Sequence, residues 1–193
     1  MSSAGWQQAA LAACLIAVAP IGAADHIGMM DREHGEWVSS VLIGEPPARF
    51  RVSAERVDYG VYTEVVVDLV EGDCVQRFVS LDVYLRNPIE QDLVTAEMEG
   101  ALRIDRYPLH PIFYRVGAMA GDFVIHLFLM EIEGERAFWK EMSAGQALRF
   151  RFPTERKDYY LRFPLQGFTE AFQRAARLCN ELPAEADRAY FQK

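Results

Sequence analysis

No stretch of this sequence reaches the roughly 20 consecutive apolar residues that a membrane-spanning helix requires. Positive charge is also scarce: 20 Lys and Arg stand against 28 Asp and Glu, a formal net charge of −8. A phosphate backbone selects cationic proteins, so this balance argues against nucleic-acid binding. There is no GxSxG, HExxH, CxxC or Ser-x-x-Lys pattern, and no Gly-rich phosphate loop. The common hydrolase, zinc, redox and nucleotide signatures are therefore missing, and no cofactor is expected. No repeat, low-complexity block or domain boundary divides the 193 residues. At that length one domain is the default, with a core that buries roughly 70% of the unfolded surface.

An apolar run of 11 residues, Ala9 to Ala19, is closed by Pro20. It is too short to be an anchor and fits the core of a secretory signal, followed by the small residues Gly22, Ala23 and Ala24. Residues 1–24 are thus expected to be a signal peptide, cut after Ala23 or Ala24, although no Lys or Arg precedes the run. Leu11-Ala12-Ala13-Cys14 spells a lipoprotein cleavage box, but only Ala9 and Ala10 separate it from the polar Gln7-Gln8. Cys14 therefore reads as part of the signal's apolar core. The expected location is the periplasm or beyond.

Three cysteines are present, Cys14, Cys74 and Cys179. Removing the signal leaves an even number in an oxidising compartment, which predicts a Cys74–Cys179 disulfide. Without CxxC spacing, a structural role outweighs a redox or zinc one.

From Trp37 to Phe163 the chain reads as successive short strands separated by Gly, Pro and Asn turns. Residues 25–36 show no apolar period and read as a flexible lead-in. Leu93–Met98 and Ala101–Asp105 look like two strands about Glu99-Gly100. Tyr107 to Val116 carries Pro108 and Pro111, so any strand there is expected to be irregular or at an edge. Phe123 to Ile132 is the most apolar strand and is expected to be central. The period changes once, where Phe168, Ala171, Phe172, Ala175, Leu178 and Cys179 line one face of a helix over about 168–182. The expected architecture is a single β-rich domain over 37–193, an antiparallel sandwich or partly open barrel with one C-terminal helix. Cys74, Cys179, Gly167, Phe168 and Phe172 are the positions on which its stability is expected to rest.

Candidate chemistry is limited to three places. His110 and His126 each sit on an apolar segment, where a lone histidine is usually a satisfied core residue. An envelope hydrolase remains an alternative if carboxylates or histidines converge in three dimensions. If the signal is cut after Ala23, the mature chain begins Ala24-Asp25-His26. Its free amine, two backbone amides and third-position imidazole form a nitrogen set that Cu(II) or Ni(II) prefers. The plainer reading of those residues is an acidic tail with a chance histidine. Lastly, Arg149 and Arg151 alternate with Leu148, Phe150 and Phe152, while Tyr160 and Arg162 alternate with Tyr159, Leu161 and Phe163. Strand alternation places Arg149, Arg151, Tyr160 and Arg162 on one outer face, suited to an acidic partner segment or an anionic polymer. The plainer reading there is a solvated strand face balanced by nearby acids.

The run Arg103-Ile104-Asp105 and the segment Ser143 to Phe150, followed by Leu165-Gln166-Gly167-Phe168-Thr169-Glu170-Ala171, resemble the C-terminal region of the invasion-associated locus B family. The chain is also similar to a periplasmic accessory protein encoded with type VI secretion systems, in which one Cys follows an early strand and another lies in the terminal helix. Cys74 and Cys179 match that placement. The resemblance spans about residues 60 to 180. It implies an envelope-associated, non-enzymatic role. The signal, the even mature cysteine count, the acidic balance and the lack of a catalytic constellation together predict an exported protein that binds an envelope or secretion-system partner, peripheral to the membrane at most.

Overall fold

The computed structural model describes residues 27–43, 47–58, 60–154 and 157–181. The signal-like run and the Ala24-Asp25-His26 terminus lie outside the described residues. The described residues form eleven strands: β1 (Ile27–His34), β2 (Trp37–Ile43), β3 (Arg49–Asp58), β4 (Val61–Val70), β5 (Asp73–Tyr84), β6 (Leu93–Val94), β7 (Met98–Ile104), β8 (His110–Ala118), β9 (Val124–Ile132), β10 (Ala147–Phe152) and β11 (Tyr159–Pro164). Two helices accompany them, α1 (Glu135–Ala144) and α2 (Phe168–Glu181). The strands form one antiparallel sheet in the order β1-β2-β3-β4-β5-β9-β8-β7-β10-β11, with β6 added to β8.

Alternation along each strand makes this sheet two-faced. On β3, Phe50, Val52 and Ala54 are buried, and their register partners Leu69, Val67 and Val65 on β4 are buried with them. Leu81 on β5 and Leu102, Ile104, Phe150 and Phe163 on the far strands complete an apolar interior. The sheet curls until β11 returns to the region of β2 and β3. There the Trp37 indole donates to the Pro164 carbonyl at 2.8 Å, and Arg56 donates to the Arg162 carbonyl. These bonds occupy carbonyls of an edge strand that would otherwise invite pairing with another chain. α2 lies across the inner side of β2 and β3, so the fold is a mainly β sandwich-like shell around one C-terminal helix.

The α2 face is the one its periodicity predicts. Phe168, Ala171, Ala175 and Cys179 are buried, and Cys179 is bonded to Cys74, with Cα atoms 5.9 Å apart across 105 positions. Phe172 differs from expectation: it is half-buried and stacks against Trp139 and Phe168. Gly167 has φ +92°, and a Cβ there would stand 1.5 Å from the His34 carbonyl oxygen. No other residue fits at that crossing.

Three sequence expectations require correction. The stretch read as a flexible lead-in forms β1 from Ile27, because its backbone pairs with β2 despite the absence of an apolar period. A bulge between Met29 and Arg32 scrambles the alternation that would have announced the strand. Glu99-Gly100 is no turn: β7 runs straight through it, and Gly100 lets the β10 backbone approach, since a Cβ would lie 3.0 Å from the Arg151 carbonyl oxygen. The expected irregularity of the Pro111 strand is present in β8 as a register shift between Phe113 and Tyr114, with the strand inside the sheet and not at its edge. A second helix, α1, occupies residues read as a lead to a polar link. β9 is central in sheet order as expected, but its outward side chains Phe128 and Met130 are exposed.

Candidate functional site

Register places all four residues of the arginine face together. Arg149 lies opposite Arg162, and Arg151 opposite Tyr160, across β10 and β11. β7 adds a member that the sequence reading missed, because Arg103 lies opposite Arg149 on its other side. Arg103, Arg149 and Arg162 thus form a row across three neighbouring strands. No spacing in the sequence announces it, since the β7–β10 pairing joins segments far apart in the chain.

The counter-charges near this row are few. Asp105 Oδ1 lies 3.8 Å from Arg149 Nη1, and Asp158 lies 3.4 Å from Arg151 Nε while accepting a bond from the Tyr160 hydroxyl. Arg103 donates to the carbonyls of Tyr107 and Arg106. The Arg162 side chain makes no hydrogen bond or ion pair with any of the described residues. Asp105 is itself held in the left-handed region, at φ 44°, where its carboxylate accepts the backbone N–H groups of Gln146 at 2.7 Å and Ala147 at 3.0 Å. The Arg103-Ile104-Asp105 triplet therefore supplies one row cation, one core side chain and one turn cap.

The two histidines each meet an acid, in different settings. His110 is 5% exposed; its Nδ1–H donates to the Glu133 carbonyl at 3.0 Å and its Nε2 lies 2.9 Å from Glu141. One ring nitrogen meets the segment just before α1 and the other meets α1 itself, so His110 ties that helix to β8. His126 projects from the opposite side of the sheet, with Nδ1 2.9 Å from Asp82 and the ring stacked on Phe128. The hydrogen bond that His126 donates to Asp82 outweighs partial burial and holds the His126 pKa above its ordinary value.

Around that pair runs a polar strip. Arg51 makes a two-pronged pair with Asp68, both bonds 2.9 Å, and Tyr84 donates to Glu64 at 2.9 Å. Burial raises the Glu64 carboxyl above the usual range, against the lowering effect of its bonds to Ser53 and Tyr84. Every charge here has a partner within the sheet, so the strip knits four strands together. A cleft of about 820 Å³ lies elsewhere, lined by β5, β9 and α1, and contains neither histidine. Among the described residues no group of three or more His, Cys, Asp or Glu is placed to hold a metal ion. No described helix is long and apolar enough to cross a membrane.

No family model matches the chain, and no curated protein matches it. Among solved structures it is similar to the crystal structure of invasion associated protein b from Bartonella henselae, at 16% identity over 79% of this chain and 98% of that one, with a TM-score of 0.48. This likeness brings no residue, partner or activity to the chain.

Proposed function

We propose that this is an exported, non-enzymatic binding protein of the cell envelope, which seats an acidic segment of an envelope or secretion-system protein on the outer face of β7, β10 and β11. The carrying observation is the Arg103–Arg149–Arg162 row. Like charges placed directly opposite one another on neighbouring strands destabilise a sheet. Here three stand side by side, with Asp105 the nearest counter-charge to the middle one at 3.8 Å. Concentrating cations on one face of a protein of net charge −8 favours encounter with an anionic surface and repels other approaches. The signal-like N-terminus and the disulfide support an oxidising compartment.

A fluorescein-labelled hexaglutamate peptide is the first probe. It is expected to bind, to weaken as salt is raised, and to lose binding when Arg149→Glu and Arg162→Glu are combined in a variant with an unchanged melting curve. Binding that ignores both changes, or no binding at low salt, overturns the proposal. Export is checked separately by the mass of the periplasmic protein, which is expected to begin at Ala24 or Asp25. A start at Ala24 leaves the amine–Asp25–His26 metal set intact, and a start at Asp25 removes it.

A further inference from the structure

β5 and β9 pair only from Val79↔Leu129 to Tyr84↔Val124. Yet β5 begins at Asp73, and β9 continues to Ile132. Beyond the last pair the two strands diverge, each held on its far side: Arg77 pairs with Leu69 of β4, and Glu131 and Ile132 with Phe113 and Ile112 of β8. The fork between them is the cleft of about 820 Å³, which α1 lines with Glu135, Arg136 and Trp139. Two strand edges therefore face one another without pairing.

Arg77 stands in this fork. Its Cζ lies 4.8 Å from the Trp139 ring centroid and 5.3 Å from that of Phe172. These aromatic contacts hold the planar guanidinium in place. The Arg77 side chain makes no hydrogen bond or ion pair with any described residue, and its Nε is buried without a partner. A buried donor left unbonded is costly, and a guanidinium presents a fork of N–H groups that matches a carboxylate.

We infer that the fork binds a short extended peptide whose C-terminal carboxylate lies against Arg77. The unpaired strand edges offer backbone groups to an added strand, as in β-augmentation. Met130 and Val75, which are exposed, and Leu129 and Ile132 offer apolar contacts for its side chains. Asp73, Glu131 and Glu135 at the same cleft disfavour a polyanion, so a single carboxylate on an apolar body is the charge pattern that fits. This site is separate from the arginine row and does not depend on it.

The test is a ¹⁵N-edited NMR titration of the whole protein with N-acetyl-Val-Leu-Val-Leu as the free acid and as the C-terminal amide. The acid is expected to shift the Trp139 indole N–H and the backbone amides around Arg77 and Met130. The amide is expected to bind at least about tenfold more weakly, and Arg77→Gln to abolish the difference between the two. Equal binding of acid and amide overturns the inference, as do shifts confined to other surfaces or none at about 1 mM peptide. Decanoate, tried alongside, separates sources of the carboxylate: if it binds as well as the peptide acid, the strand edges play no part and the inference fails. The acid–amide comparison is made on the unaltered protein, so it stands even if the Arg77 variant does not fold.

Discussion

The two helices are fastened to the sheet by different means. α2 carries a continuous buried face of Phe168, Ala171, Ala175 and Cys179, a disulfide to the start of β5, and Arg174 bonded to the Ser39 carbonyl and hydroxyl and to the Met30 carbonyl. α1 buries Phe138, Trp139 and Met142, and depends on polar contacts to elements distant in sequence: His110 to Glu133 and Glu141, and Thr169 to the Ser143 carbonyl. Both junctions mix apolar and polar contacts, but only the first is covalent, and the polar contacts of the second join segments far apart in the chain. The difference explains why the first was visible from periodicity alone and the second was not.

The comparison is broken most severely at the entry to α2. Gly167→Ala puts a methyl group where the His34 carbonyl oxygen already stands, in a φ region that disfavours any side chain. The expected loss exceeds about 4 kcal/mol, the range of exceptional single changes, and urea denaturation measures it. Next comes the disulfide. Its closed loop of 105 positions predicts a loss near about 4.7 kcal/mol on reduction. Denaturant unfolding with and without reductant checks this, and a loss below about 1 kcal/mol shows that α2 holds by packing alone.

α1 is expected to yield to a smaller change. His110→Ala leaves the Glu133 carbonyl and Glu141 carboxylate without their partner, costing about 1–3 kcal/mol for each group left unsatisfied. Glu141→Gln retains a hydrogen-bonding group and is expected to cost about 1 kcal/mol or less. Thermal melts of the two variants sharpen the contrast: equal losses mean that shape, not hydrogen bonding, holds α1.

The smallest effect concerns His126. Its pKa is raised by the hydrogen bond it donates to Asp82, so the folded state binds its proton more tightly than the unfolded chain does. The resulting stability is fully present below the unfolded value near 6.5 and is lost as pH rises through the folded value. The ring's side chain is 37% exposed, so solvent screens the effect. The melting-temperature gap between the protein and His126→Gln is expected to narrow from pH 6 to pH 9. A gap that stays constant assigns the His126 contribution to its stacking on Phe128.

Residues close in sequence, and the one cysteine pairing, were legible in the sequence. The buried face of α2, the β10–β11 hairpin with its shared arginine face, the predominance of antiparallel strands and the Cys74–Cys179 bond all follow from local period or cysteine parity. Tertiary structure decided the rest. β1 is a strand because β2 offers it an edge, and Gly100 is a close approach, not a turn, because β10 crosses there. α1 is a helix because His110 and the core receive it, and Arg103 joins Arg149 because β7 pairs with β10. The fork beside Arg77 exists because β5 and β9 part company beyond Val79 and Leu129. The reason is common to all five: local period reports which face a segment buries, whereas the partner that covers it is chosen by packing between residues far apart in the chain.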